Sequence, residues 1–259
     1  MTSAGRALGL GLAALFLSLS LHANPGKDPL DSPGWRIIAE GELDGADYVF
    51  DEAVIVTVPE VAEDSTRVPV HVSVDGIEGI QKLIVVAELN PITRAATVIP
   101  EASLSKLGFG LQIKVQQATP IRAAVLDGDG LWHVGGAWIS AAGGGCTAPS
   151  TASVDPSWSH RLGESGGRLF SREGEGTQRL KFSVIHPMDA GFVASAPRLF
   201  VEETTIRSKA TGDRLFRLLT TAAVSENPTF SIDLDVDSDL EIQGYDNNGH
   251  RYALDVAAH

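Results

Sequence analysis

The chain has 259 residues, with 33 acidic against 20 basic side chains and a formal net charge of −13. An acidic surface of this size repels phosphate backbones and anionic lipid, which argues against nucleic acid and peripheral membrane binding. A single cysteine, Cys146, excludes an internal disulfide framework and leaves an odd thiol to account for.

Residues 1–23 have the pattern of a targeting segment. Arg6 is followed by an apolar run over 7–21, then small residues and Asn24-Pro25. The run falls short of the about 20 residues that span a bilayer, so a secretory signal peptide cleaved after Ala23 is expected. No cysteine stands at the cleavage point, so no lipid anchor is expected. The mature protein is therefore expected in the periplasm, with no membrane association.

Residues 24–140 are expected to form one β-sandwich, with its strands starting at residue 53. Residues 53–58 read as a strand, and residues 68–74 alternate so that Val68, Val70, Val72 and Val74 share one face. An apolar run over 82–87 is stopped by Asn90-Pro91, and alternation returns over 111–115. Segments 121–126 and 131–134 then face each other across Asp127-Gly-Asp-Gly130, a hairpin turn signal. Short strands at this spacing, without helical periodicity, predict an immunoglobulin-like sandwich.

Residues 141–178 break the pattern with Gly143-Gly-Gly-Cys-Thr-Ala-Pro-Ser150 and a later Gly/Ser/Glu-rich stretch. They read as an arm and linker with one short helix near 158–162. A second, smaller sandwich is expected over 179–259. Its strands lie over 180–185, 200–207, 215–219, 230–236, 240–242 and 252–256, with turns at Thr211-Gly212 and Asn247-Asn-Gly249. The fold class is thus all-β: two immunoglobulin-like domains joined by a glycine-rich, cysteine-bearing linker.

Chemistry concentrates at Cys146. A catalytic cysteine needs a fixed base or a helix N-terminus to make its thiolate. Cys146 instead follows Gly143, Gly144 and Gly145 and precedes Thr-Ala-Pro-Ser, where nothing adjacent lowers its pKa. The glycines are expected to give a slim, flexible arm, whose six residues from Ser140 reach roughly 20 Å when extended. A lone nucleophile on such an arm suits a carrier that threads into a partner's active site and holds its cargo covalently. The bland alternative is a buried core cysteine.

Residues 63–70 (Glu-Asp-Ser-Thr-Arg-Val-Pro-Val), 113–120 (Ile-Lys-Val-Gln-Gln-Ala-Thr-Pro) and Trp132-His-Val-Gly-Gly136, ending in Gly143-Gly-Gly-Cys146, resemble the SoxY sulfur carrier. His186-Pro-Met-Asp-Ala-Gly191 and Ser225-Glu-Asn-Pro228 are similar to its partner SoxZ. Their fusion is similar to the quinoprotein dehydrogenase-associated SoxYZ-like carriers. The resemblance implies two immunoglobulin-like sandwiches and a periplasmic covalent carrier of sulfur intermediates attached at Cys146. It implies periplasmic oxidoreductases as partners, either Sox-type enzymes or a quinoprotein dehydrogenase and its cytochrome. It implies no enzymatic activity and no cofactor beyond the cargo on Cys146. The family arm is a free tail with glycines on both sides, whereas here Thr147-Ala-Pro149 follows and the chain continues. The competing function is a non-covalent accessory module for a quinoprotein dehydrogenase system.

Other candidates read as structural. Asp233, Asp235, Asp237, Asp239 and Glu241 alternate with apolar residues as a solvated strand face, without the glycine and glutamate of a calcium loop. His71, His133, His186 and His250 lack metal-ligand spacing, so no metal site is expected, and His186 before Pro187 is expected to end a strand. Trp132 and Trp138 are expected in the core.

Overall fold

The computed structural model describes residues 25–150, 156–172, 177–192 and 197–258. The leader expected over 1–23 lies outside the described residues. Among those described, no helix is long and apolar enough to cross a membrane.

The first half holds helix α1 Trp35–Glu42 and strands β1 Tyr48–Phe50, β2 Val54–Thr57, β3 Val61–Ala62, β4 Val68–Asp75, β5 Lys82–Ala87, β6 Arg94–Pro100, β7 Lys106–Ile113, β8 Thr119–Leu126 and β9 Trp132–Ala141. The second holds β10 Ser165–Ser171, β11 Gln178–Val184, β12 Val201–Ser208, β13 Arg214–Thr220, β14 Thr229–Leu234, β15 Leu240–Asp246 and β16 Arg251–Val256. A short 3-10 helix, Pro156–Arg161, lies close to where one was expected. The architecture is all-β and immunoglobulin-like in two domains.

The alternation read over β4 is the observed one: Val68, Val70, Val72 and Val74 are buried while Pro69, Ser73 and Asp75 are exposed. The hairpin at residues 127–130 is closed by Asp127, whose Oδ1 accepts the backbone N–H groups of Asp129 and Leu131, both at 2.9 Å. The turns between β12 and β13 and between β15 and β16 use Gly212 and Gly249 at φ of +77° and +86°, where other residues are strained.

The two halves do not hang on a linker. In one layer β6 pairs with β13, from Phe216 opposite Pro100 to Thr220 opposite Ala96. In the other β14 pairs with β7, with Ser231 opposite Gly110 and Ile232 opposite Phe109. Both sheets therefore run through both halves, in the orders β1-β9-β8-β5-β6-β13-β12-β15-β16 (β3 also pairing with β9) and β10-β11-β14-β7-β4-β2. One apolar core between the layers draws on Val72, Phe109 and Val98 from the first half and Leu218, Phe230 and Ile232 from the second. Glycines permit the junction, since a Cβ on Gly108 would collide with the Asp233 carboxylate and one on Gly110 would meet Ser231 Oγ.

Three expectations are corrected. The stretch 141–178 is not linker throughout, because β10 pairs with β11 from Ser165 opposite Val184 to Ser171 opposite Gln178. The first ordered elements precede residue 53. Trp35, Ala39 and Leu43, spaced four apart, are buried as one stripe of α1 and its C-cap. They pack over Ile84, Val86, Trp132 and Val134 on the outer face of the larger sheet, which is why β5 is buried on both faces. Trp132 is core as expected, but Trp138 is 47% exposed, its indole N–H donating to the Leu30 carbonyl at 3.1 Å. Residues 138 and 140 continue the outer face of β9 beyond the cover of α1, so only part of that ring is buried.

Candidate functional site around the cysteine arm

The arm leaves β9 and runs beside the ledge that follows β7. Gly143 N–H donates to Ser65 Oγ at 3.3 Å, Gly144 N–H to the Gln116 carbonyl at 3.0 Å and Gly145 N–H to the Val115 carbonyl at 3.1 Å. The Cys146 thiol then points to the Lys114 carbonyl at 3.7 Å. Thr147 and Ala148 return N–H groups to the Gly144 carbonyl, turning the chain after the cysteine. Asn90 holds the ledge in shape, its Nδ2 donating to the Lys114 carbonyl at 2.7 Å and its Oδ1 accepting Gln116 N–H at 2.9 Å.

The arm built from Gly143, Gly144 and Gly145, expected to be slim and flexible, is docked in this structure. The glycines let the backbone come close. A Cβ on Gly145 would collide with the Ser65 carbonyl and lie 2.7 Å from that of Val115, and one on Gly143 would lie 2.8 Å from that of Gln116. Gly143 and Gly144 also sit at φ of +100° and +81°. The same residues that would make a free arm flexible make a docked arm fit. Cys146 is accordingly only 5% exposed. Burial pushes its pKa up to about 11, against the opposing field of the Lys114 ammonium.

The second half closes over the seat. Ser150 Oγ donates to Asp189 Oδ2 at 2.9 Å, and Asp189 Oδ1 accepts Gly191 N–H at 2.8 Å. Lys114 reaches across the junction, its ammonium donating to the carbonyls of Met188 and Ala222. His186 follows β11 as expected and is buried. Its Nδ1 accepts Met188 N–H, so the ring's proton sits on Nε2, 3.4 Å from Asp246 Oδ2. Burial lowers its pKa to about 4, and the ring is neutral near pH 7.

Two family models match the chain: "Sulfur oxidation protein SoxY" over residues 42–146 and "Sulphur oxidation protein SoxZ" over residues 170–256. The chain joins a SoxY-like to a SoxZ-like half. None of the curated proteins compared with it matches. Among solved structures, the sulfur carrier protein SoxY from Chlorobium limicola f thiosulfatophilum is similar, at 17% identity and a TM-score of 0.34, over 41% of this chain and 90% of that one.

The SoxY match ends on Cys146 itself, and the SoxZ match opens inside β10. The segments that carried the resemblance converge on one place. Residues 63–70 supply Ser65, residues 113–120 supply Lys114, Val115 and Gln116, and His186 to Gly191 supplies Met188 and Asp189. Reading residues singly missed Lys114, Asn90 and Asp189. The signal lay in the clustering of motif residues around polar positions. The remaining candidates stay apart from the arm. His71 lies on the outer face of the smaller sheet, and His133 bridges Asp51 and Asp127 at 2.7 and 3.0 Å. Asp233, read as solvated, instead binds Arg172 and Arg179, both at 2.7 Å. Among the described residues no group of three acidic, histidine or cysteine side chains gathers as a metal site.

Proposed function

We propose that the chain is a non-enzymatic covalent carrier in sulfur oxidation, working in the periplasm, with Cys146 as the attachment point. The observation that carries this is that the chain's one cysteine closes the SoxY match on a glycine arm, at the junction with the SoxZ-like half. Joining a cysteine thiol to a second reduced sulfur releases two electrons and two protons, so the loading partner has to be an oxidoreductase. Sox-type enzymes meet that need, as does a quinoprotein dehydrogenase with its cytochrome.

The docked thiol is protonated and shielded, so it does not react in its seat. Loading requires the arm to leave the ledge and exchange backbone hydrogen bonds for water, a step of modest cost because such bonds are replaced rather than lost. The partner's active site then supplies the charge that makes the thiolate.

Intact mass spectrometry of the protein purified from its native compartment without reductant tests the reading. The expected result is a mass increment on Cys146 that dithiothreitol removes. A clean thiol while the pathway runs would overturn it. The deep burial of Cys146 favours a second reading, a non-covalent accessory module in which the thiol is only packing. Under that reading Cys146→Ser leaves pathway activity intact, whereas the carrier reading expects its loss.

A further inference from the structure

The chain is acidic, yet the β10–β11 hairpin is not. Residues 165–184 carry four basic side chains, Arg168, Arg172, Arg179 and Lys181, against Glu173 and Glu175, a formal +2 in a chain of −13. Leu169, Leu180 and Phe182 are buried in the core, so alternation turns Arg168, Phe170, Arg179 and Lys181 to the outer face of the smaller sheet. Arg172 and Arg179 share the Asp233 carboxylate. Arg168 and Lys181 are exposed, stand directly opposite each other, and make no hydrogen bond or ion pair among the described residues. Like charges in facing positions cost stability. Guarding the sheet edge accounts for a charge on β10, but not for a second one facing it from β11.

This pair begins a row that crosses all six strands. Lys181 faces Ser231, Ser231 faces Gly110, Gly110 faces His71 and His71 faces Thr57. At about 4.8 Å per strand the row spans roughly 24 Å, the scale of a protein contact. Beyond the two cations it carries small or neutral groups, for burial and the Arg179 charge lower the His71 pKa and keep the ring neutral near pH 7. The low floor at Gly110 and Ser231 opens a groove of about 600 Å³. Pro59, Pro69 and Gln112 line it at the arm's end of the sheet. There the neighbouring Glu60 carbonyl accepts Ser140 N–H at 3.0 Å, just before the arm leaves β9, and Gln112 leads into the ledge over 114–116.

We propose that this face docks an acidic patch of a protein partner, with Arg168 and Lys181 as the charge contacts and Phe170, 45% exposed, as the apolar anchor beside them. The groove aligns that partner with the arm. A uniformly anionic surface, such as lipid or nucleic acid, meets the repulsion of the whole acidic chain. A local acidic patch meets only this face, because charges more than about 8 Å away are screened at physiological ionic strength. The carrier reading supplies the partner's task; the contact itself needs no cargo on Cys146.

The probe is a glutamate decapeptide, titrated into the isotope-labelled full chain at low salt and followed by backbone amide NMR shifts. A lysine decapeptide and phosphatidylglycerol vesicles are the controls. The glutamate peptide is expected to move amide signals on β10, β11 and β14, saturably, and to lose its effect as salt is raised. Replacing the pair by Arg168→Glu and Lys181→Glu should weaken its binding about tenfold or more without moving the unfolding midpoint, while Arg168→Lys should preserve it. Shifts absent from β10 and β11, spread evenly over the surface, or reproduced by the lysine peptide overturn the proposal. So do vesicles that move these signals where the glutamate peptide does not, which would make the face a lipid contact. The wild-type map decides even if the double variant does not fold. An unmodified Cys146 in the native protein would sink the carrier reading and leave this result standing.

Discussion

Two cations are buried in the SoxY-like half, and they are treated in opposite ways. The Arg122 side chain is 1% exposed and fully matched. Its Nε donates to Glu88 Oε1 and its Nη2 to Asp28 Oδ2, both at 2.6 Å, and its guanidinium lies 5.0 Å from the centre of the Trp35 ring. Ser32 and the backbone N–H groups of Leu30 and Ser32 complete the carboxylates. Lys114 has carbonyls only. Arg122 uses its charge to pin the segment before α1 onto the sheet, and every oxygen of its two carboxylate partners is engaged. Lys114 sets its charge against the dipoles of two carbonyls across the junction. Burial of a cation is therefore no sign of its role; the completeness of its partners is.

The comparison breaks most visibly at Arg122. Arg122→Met leaves the fully buried Glu88 carboxylate and the Asp28 carboxylate without their cation, and should destabilise the fold by about 3–5 kcal/mol in urea unfolding. Lys114→Met leaves two carbonyls unpaired but strands no charge, so a smaller loss of about 1–3 kcal/mol is expected from the same measurement. Equal losses would mean that Lys114 is as tightly compensated as Arg122.

Gly145→Ala sharpens the contrast from the arm's side. Its methyl has no room against the Ser65 and Val115 carbonyls, so the arm should undock and take Cys146 away from Lys114. Thiol alkylation near neutral pH should accelerate on the order of tenfold, while the unfolding midpoint barely moves. An unchanged alkylation rate would show that the seat adapts to the extra methyl.

His133 offers an Arg122-like arrangement that pH can switch off. Burial pulls its pKa down, but the hydrogen bonds to Asp127 and Asp51 outweigh this and the net shift is upward. The stability it contributes is present in full below about pH 6.5, its unfolded value, and fades as pH rises through the folded value. His133→Gln should flatten the fall in unfolding free energy across that window, an effect of about 1 kcal/mol or less for a partly exposed group. A wild-type stability that rises there instead would reverse the assignment.

How much of this the sequence discloses depends on whether a feature is local. The strand β4 shows its buried face in four alternating valines, and the turn residues Asp127, Gly212 and Gly249 mark their hairpins. Helix α1 hides because Gly34 at its N-cap offers no side-chain cap and the helix is eight residues long. Strand β10 hides because only Leu169 of its seven residues is buried, the remainder being an edge of glycines, polar side chains and the exposed Phe170. The joining of both sheets is invisible for a different reason: β6 with β13 and β7 with β14 pair across long separations through backbone groups that every residue carries. The site divides in the same way. Cys146 and its glycines stand out by composition, but apart from Ser65 Oγ their docking partners are the main-chain carbonyls of Lys114, Val115 and Gln116, which no residue type announces.

The pairing of β6 with β13 and of β7 with β14 also bears on dilution. Two separate subunits meeting at such a seam would part at low concentration, to an extent set by their affinity. Within one polypeptide the seam closes intramolecularly, at an effective concentration in the millimolar range for a short tether. The surface that seats Cys146 is thus assembled at any protein concentration, and its occupancy by the arm is a property of each molecule alone.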